Sequence, residues 1–152
     1  MEFFIDKATE NNLDEILDLF KNTIQITNAK DYNQNQIVAW TSSIENKERW
    51  KLKIKNQYFI VVKSDYKIVG FGSLEKNYVD FLFVHQDFLR KGIASLIYKN
   101  LKNEATYLGF TKLTTFASKT AVPFFLSKEF KIIKENKIIR NGIEISNFEM
   151  SQ

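Results

Sequence analysis

Hydrophobic residues in the first third of the chain recur every three or four positions, as they do in amphipathic helices. One such stripe, which predicts the first helix, contains Leu13, Ile16, Leu17, Phe20 and Ile24. Thr9 precedes this stripe in the position of an N-cap, after a predicted strand from Phe3 to Ala8. A second helix is predicted from Asn33, because Gln36 three residues later completes a capping-box pattern. A third, short helix is predicted from Asn46 to Ile54.

From residue 58 onward the pattern changes to that of strands, with two helices between them. Strands are predicted over Tyr58 to Lys63, Lys67 to Glu75, Tyr78 to Val84, Leu113 to Ala117, Phe130 to Arg140, and Ile143 to Met150. A helical stripe from Ile93 to Leu108 ends at Gly109 and lies between the third and fourth of these strands. A short helix is predicted from Ser118 to Lys128, and Asn141-Gly142 suits the type I′ turn of a hairpin.

The order of elements predicts an α+β fold in which a mixed, mostly antiparallel sheet has one parallel crossover around the central helix. The chain of 152 residues contains five Gly and one Pro, which leaves little room for a linker. We therefore expect one domain over residues 1–152.

Composition excludes several classes of function. The chain has no Cys, which rules out disulfides, thiolate metal sites and a Cys nucleophile, and we expect no bound metal. Its apolar runs are too short to span a membrane, and no secretory leader is recognisable, so we expect a cytoplasmic protein without a membrane partner. The net charge is +4, but the basic residues are scattered, so we expect no nucleic-acid partner.

The segment after Val84 has the chemistry of an anion site. A loop carrying Arg90 and Lys91 follows the strand, and a helix opens with the small residues Gly92 and Ala94. Small residues let backbone N–H groups approach a phosphate closely, and the start of a helix adds positive potential. Neither the Walker motif nor the dinucleotide fingerprint is present. On spacing alone, a pyrophosphate site and an ordinary basic loop are equally open.

This segment resembles motif A of the GNAT acetyltransferases, in which Arg/Gln-x-x-Gly-x-Gly/Ala grips the pyrophosphate of acetyl-CoA. Gly92 and Ala94 match the two small positions, whereas Leu89 stands where the family usually has Arg or Gln. The stretch from Ile68 to Gly72 is similar to the family's third strand, and that from Phe116 to Phe125 to its fifth strand and following helix. The resemblance implies a GNAT-like twisted sheet with splayed central strands, flanked by helices.

The resemblance also implies acetyl-CoA as cosubstrate, held largely by main-chain atoms. The implied contacts are Leu82, Phe83 and Val84 on the strand before motif A, then Leu89, Arg90, Lys91, Gly92, Ile93, Ala94 and Ser95, and finally Ser118 and Phe125. The N–H of Val84 is also a candidate donor to the developing oxyanion.

Asp80 is the candidate general base. A carboxylate inside the apolar strand is costly to bury unless it has a partner, and desolvation makes it a stronger proton acceptor, as a general base working near neutral pH requires. Its offset from motif A matches the position where several GNAT enzymes carry a base. An Asp at a bulge or facing solvent is the alternative. Glu75 is a weaker candidate base, and His85, the only His, is expected to be a surface or capping residue.

Phe125 occupies the position where many GNAT enzymes use a Tyr as acid toward the leaving thiolate. Phe cannot donate a proton, so another group such as Tyr78 or a water supplies it, or the thiolate leaves unassisted. Tyr32 and Tyr78 are predicted substrate contacts, because each ring carries a polar tip. Phe71 and Phe124 are further candidates for the pocket wall, and Trp40 is expected mainly in the core.

The sequence thus predicts an N-acetyltransferase that moves an acetyl group from acetyl-CoA directly to an amine of a small molecule or a protein. A non-catalytic acyl-CoA-binding module is the alternative, because Leu89, Ser118 and Phe125 depart from the family pattern. Both a monomer and a homodimer are compatible with the sequence.

Overall fold

A computed structural model describes residues 2–152, which form one seven-stranded sheet in the order β1-β2-β3-β4-β5-β7-β6. The strands are β1 Phe4–Lys7, β2 Tyr58–Ser64, β3 Lys67–Glu75, β4 Tyr78–Val84, β5 Thr114–Ala117, β6 Lys131–Arg140 and β7 Ile143–Ser151. The helices are α1 Leu13–Ile26, α2 Gln34–Thr41, α3 Lys47–Asn56, α4 Ile93–Tyr107 and α5 Val122–Ser127. No helix in this range is both long and apolar enough to cross a membrane.

Local hydrogen bonds explain where several helices begin and end. Asn33 and Gln36 cap α2 reciprocally, because each backbone N–H donates to the other's side chain at 2.9 Å. At the end of α4, the N–H of Phe110 donates to the carbonyl of Ala105 at 2.9 Å while Gly109 has φ +94°. This is the Schellman ending that the sequence predicts.

The tight turns follow the same local logic. Asn141 and Gly142 connect β6 to β7 with φ of +51° and +77°, as a type I′ turn requires. The helix predicted from Ser118 to Lys128 is shorter than expected and begins at Val122. The preceding residues form a turn in which the Ser118 carbonyl accepts the N–H groups of Ala121 and Val122.

All neighbouring strands are antiparallel except β4 and β5, which are parallel and joined through α4. The predicted fold class is therefore confirmed. Helices α1 to α3 cover one face, where an aromatic cluster contains Phe20, Trp50, Phe59, Phe71, Phe81 and Phe83. The opposite face packs against α4 and α5.

Two glycines on β3 allow α4 to lie directly on the sheet. A Cβ added at Gly70 would be 2.9 Å from Cγ2 of Ile93, and one added at Gly72 would be 2.3 Å from Cγ2 of Ile97. This close approach fixes where α4 begins relative to the end of β4.

Candidate active site

The centre of the sheet opens into a wedge between β4 and β5. The two strands pair only where Tyr78 faces Thr114 and Val79 faces Thr115. Beyond Val79 they diverge, and a cavity of about 330 Å³ follows the opening. This is the splay of central strands that the resemblance implies.

A β-bulge at Asp80 coincides with the point of divergence. Phe81 lies opposite Ser73 and Val79 lies opposite Leu74, so Asp80 is an extra residue without a partner on β3. A bulge bends its strand and increases the local twist. The second half of β4 consequently stays paired with β3 while it turns away from β5.

The peptide groups of β4 alternate between β3 and the wedge. The N–H of His85 donates to the carbonyl of Val69 at 2.8 Å, which fixes the hydrogen-bonding register. Since hydrogen-bonded and non-hydrogen-bonded pairs alternate in an antiparallel ladder, Phe83 exchanges its bonds with β3, whereas Leu82 and Val84 direct theirs into the wedge. The Phe83 main chain is thus paired within the sheet while its side chain lines the cavity, and its contact with the acyl-CoA arm stays a prediction.

Only part of this wedge-facing backbone is used inside the protein. The carbonyl of Val84 accepts a hydrogen bond from Oγ1 of the buried Thr23 at 3.4 Å. The N–H of Val84 and both polar groups of Leu82 then face the wedge. They form the unpaired edge that an extended ligand needs for pairing.

The loop before α4 presents backbone rather than side chains at the mouth of the wedge. Arg90 and Gly92 both have positive φ, at +61° and +82°, and Gly92 is the N-cap of α4 with no side chain capping the helix. Leu89 and Ala94 line the cavity, while Ile93 is buried and outside the lining. Lys91 and Ser95 are also exposed. The first N–H groups of α4 are thus available to an anion.

On the other side of the wedge, Ser118 and Phe125 both line the cavity. The Ser118 hydroxyl accepts hydrogen bonds from Nδ2 of Asn28 at 3.3 Å and from the N–H of Ala121 at 3.2 Å, so it stabilises the turn before α5. The Phe125 ring packs edge-on against Phe130, with 5.0 Å between ring centroids.

Asp80 has the partners that a carboxylate in an apolar strand requires. Its Oδ2 atom accepts hydrogen bonds from Nζ of Lys53 at 2.6 Å and from Nε2 of Gln57 at 2.9 Å. The Lys53 ammonium also lies 4.9 Å from the centroid of the Phe81 ring. Among residues 2–152, both of these hydrogen bonds go to Oδ2 and no protein donor contacts Oδ1 of Asp80. The Asp80 side chain lines the cavity.

The two alternative proton acceptors near β4, Glu75 and His85, lie away from the cavity. Glu75 is exposed at the end of β3 and is not part of the cavity lining. His85 caps the turn that follows β4, because its Nδ1 accepts the N–H of Asp87 at 3.0 Å. Burial, and then the charge of Lys67, lower the pKa of His85. The predicted capping role of His85 is confirmed.

Tyr78 faces the cavity beside the bulge, and its ring packs edge-on against Phe116. Burial, followed by the negative charge of Asp80, raises the pKa of Tyr78 to about 12. Its phenol therefore stays protonated at neutral pH.

Tyr32 lines the cavity with a hydroxyl that the protein already uses. This hydroxyl donates to the carbonyl of Ser146 at 2.8 Å and accepts the N–H of Lys119 at 2.9 Å. Burial raises the pKa of Tyr32. Among the other proposed wall residues, Trp40 lines the cavity as well as packing on the core, whereas Phe71 is fully buried and outside the lining, which corrects that expectation. Phe124 lines the cavity.

Sequence reasoning missed the charged side chains that the fold brings to the cavity from outside β4. Arg49 and Lys53 come from α3, and Arg140 comes from β6. The basic stretch around α3 reads as a solvated helix face, although Arg49 and Lys53 are four residues apart and adjoin Trp50 on the helix. The i, i+4 spacing places Arg49 and Lys53 on one side of α3, and it was the sequence signal from which their common location could have been predicted.

An open central wedge, with unpaired backbone on one strand and a small-residue helix start at its mouth, is the arrangement that the resemblance to the acetyltransferases implies. The family profile described as "Acetyltransferase (GNAT) domain" matches residues 28–152. The chain belongs to this family and is an acyltransferase enzyme.

Individual relatives agree with this assignment. The chain is 34% identical over 133 residues to an uncharacterized N-acetyltransferase, YafP, of Escherichia coli K12, across 87% of this chain and 83% of the relative. Its fold is similar to that of a GCN5-related N-acetyltransferase from Rhodopseudomonas palustris, with a TM-score of 0.96, 23% identity and coverage of 100% and 96%. A PaiA N-acetyltransferase from Thermoplasma acidophilum, solved in complex with coenzyme A, gives a TM-score of 0.79 at 16% identity, with coverage of 100% and 99%.

Proposed function

We propose that the chain functions as one domain that transfers the acetyl group of acetyl-CoA directly to an amine held in the cavity. The observation that carries this proposal is the wedge into which Leu82 and Val84 direct unpaired peptide groups. An extended pantetheine arm would pair with them as an added strand would. The coenzyme A bound to the Thermoplasma relative supports the choice of cosubstrate.

The direction of the arm follows from the two ends of β4. The pyrophosphate would lie on the N–H groups at the start of α4, close to the Val84 end of the strand. The thioester is at the opposite end of the arm, toward Asp80. The N–H of Leu82, rather than that of Val84, is then the better donor to the oxyanion that develops on the thioester carbonyl.

Asp80 is the proposed proton acceptor. Lys53 and Gln57 hold its Oδ2 atom, which leaves Oδ1 to accept the proton of the attacking amine as the new C–N bond forms. The electron pair of the broken C–S bond leaves with the sulfur of coenzyme A. Tyr78 is the proposed hydrogen-bond donor to that sulfur, in place of the family's tyrosine, whose position Phe125 occupies. With a pKa of about 12, Tyr78 can donate a hydrogen bond but gives up its proton to a thiolate only with difficulty.

The test measures acetyl-CoA binding by calorimetry and transfer by release of free thiol with a panel of amines. Asp80→Asn is expected to lower kcat about 10²-fold, at the low end of general-base effects because the Lys53 charge already stabilises the carboxylate. Acetyl-CoA affinity should be retained. Glu75→Gln, the matched carboxylate change outside the cavity, should behave like the wild type.

Lys53→Gln separates a catalytic from a structural role of the pair. It removes the cation but keeps the carboxylate, so it should retain far more turnover than Asp80→Asn. If both variants lose the same activity, the pair only stabilises the fold and Asp80 is not the base. Acetyl-CoA binding without transfer to any amine would indicate a non-catalytic acyl-CoA-binding module instead.

A further inference from the structure

The part of the cavity away from α4 carries two arginines that the transfer chemistry does not use. The chain contains three arginines, and two of them, Arg49 on α3 and Arg140 on β6, line the cavity. Neither forms an ion pair with another residue in the range 2–152. The Nε atom of Arg140 is buried and has no hydrogen-bond partner within that range. A buried, charged donor without a partner costs free energy, and a ligand that supplies an acceptor removes this cost.

The charge balance of the cavity lining also favours a ligand with an anionic group. The charged side chains that line the cavity are Arg49, Lys53, Arg140 and Asp80, that is, three cations and one carboxylate. Asp80 compensates Lys53 through their 2.6 Å contact. No protein anion therefore compensates the charge of Arg140, whose Nε atom is buried, or that of Arg49, which is exposed to solvent at the edge of the cavity. A simple alkylamine, which is cationic in water, would be repelled by such a lining, whereas an acceptor with an anionic group would be attracted.

We propose that the acceptor is a small amine that carries a carboxylate close to its amino group, such as an amino acid, with the carboxylate bound by Arg140 and Arg49. This inference rests on the proposed acetyl transfer and names the substrate class of the same site. The planar guanidinium group suits carboxylates because it can donate two parallel hydrogen bonds. The amino group then points toward Asp80, and the aromatic side chains of Trp40 and Trp50 flank the remaining part of the acceptor.

The positive lining also assists the reaction. A cationic environment disfavours the protonated form of a bound amine, so a larger fraction of the acceptor is present as the nucleophilic free base. The carboxylate of the acceptor contributes the favourable binding energy, while the positive charge that it leaves uncompensated disfavours protonation of the amine.

The chain offers an internal probe of acceptor binding. Its two tryptophans, Trp40 and Trp50, both line the cavity, so their fluorescence reports occupancy without any label. Protein saturated with coenzyme A is titrated with two pairs of ligands that differ by the carboxylate, L-phenylalanine against phenethylamine and L-leucine against 3-methylbutylamine. A third pair, benzoate and benzamide, tests the anionic charge without an amine. In each pair we expect the carboxylate-bearing ligand to bind about 10- to 100-fold more tightly, as charge-assisted hydrogen bonds provide.

Variants assign the preference to the two arginines. Arg140→Gln and Arg49→Gln should each reduce the affinity for L-phenylalanine about tenfold or more and change that for phenethylamine little, whereas Arg140→Lys should retain part of the preference. Lys134→Gln removes the same charge from an exposed position on β6 outside the cavity and should have no effect. Coenzyme A affinity and thermal unfolding, measured on every variant, show that the fold and the cosubstrate site are intact.

The possible outcomes separate this inference from the proposed function. Equal or tighter binding of the ligands without a carboxylate, or a preference that survives both arginine changes, would overturn the inference. So would transfer that favours the decarboxylated amines in kcat/KM. Failure to bind coenzyme A, or failure to acetylate any amine, would contradict the proposed acetyl transfer itself.

Discussion

Replacing Gly92 by Ala tests whether the start of α4 binds the pyrophosphate of acetyl-CoA. Gly92 has φ +82°, and a Cβ added there would meet no protein atom within 4 Å. The added methyl group would therefore enter open space at the start of the helix, where we expect the phosphate to bind. Its effect on the fold is limited to the left-handed conformation, which costs an Ala about 1–2 kcal/mol.

Gly109 at the other end of the same helix provides a matched control. It has φ +94°, and a Cβ added there also meets nothing within 4 Å. Gly109→Ala should therefore destabilise the protein by a similar 1–2 kcal/mol while leaving the phosphate site untouched. The two variants are expected to have similar Tm values in the absence of ligand.

The prediction is tested by the difference in acetyl-CoA affinity between Gly92→Ala and Gly109→Ala. A methyl group at position 92 that displaces the phosphate breaks one or two charge-assisted hydrogen bonds, worth about 1.5–3 kcal/mol each. Acetyl-CoA should therefore bind at least about tenfold more weakly to Gly92→Ala than to Gly109→Ala, as measured by calorimetry. Equal Kd values for the two folded variants would show that the pyrophosphate does not approach the helix start at Gly92.

Three further changes test other parts of the structure. Tyr78→Phe should lower kcat about three- to tenfold without changing the Kd of acetyl-CoA, because it removes one neutral hydrogen bond to the leaving sulfur; unchanged turnover would rule out this donor. Gly72→Ala should destabilise the protein by about 2–3 kcal/mol in urea unfolding, more than Gly70→Ala, because its Cβ would lie 2.3 Å rather than 2.9 Å from an Ile side chain of α4. Since the folded protein lowers the pKa of His85 below 6.5, its contribution to stability is present above pH 6.5 and is lost as the pH falls through the folded-state pKa. His85→Ala should therefore flatten the decline in unfolding free energy between pH 7 and 5, and an unchanged slope would exclude this group as its source.

Features set by neighbouring residues were predictable from the sequence. The capping box of Asn33 and Gln36, the Schellman ending at Gly109 and the Asn141-Gly142 turn each depend on residues within a few positions of one another. The helical and strand periodicities then determine the order of elements, from which the single parallel pair follows.

Features set by the register and by distant partners were not predictable in the same way. The ion pair of Asp80 joins residues 27 positions apart, and the sequence of β4 alone shows only a carboxylate among apolar residues. Likewise, Arg140 reaches the cavity because the β6–β7 hairpin extends past β5 beside α2, where Gln36 donates to the carbonyl of Glu144 at 3.0 Å. The direction of the Phe83 peptide groups was not predictable for the same reason, since it follows from the register of the ladder.

The bulge at Asp80 links the architecture of the wedge to its chemistry. In a regular strand at the centre of a sheet, the peptide groups that point away from β3 would pair with β5. Because the extra residue bends β4 after Val79, those of Leu82 and Val84 lose that partner while the pairing with β3 continues. The residue that creates the bend also holds its carboxylate in the cavity, where Lys53 and Gln57 anchor it to α3. The position that opens the sheet would therefore also set the proposed base beside the thioester end of the proposed pantetheine arm.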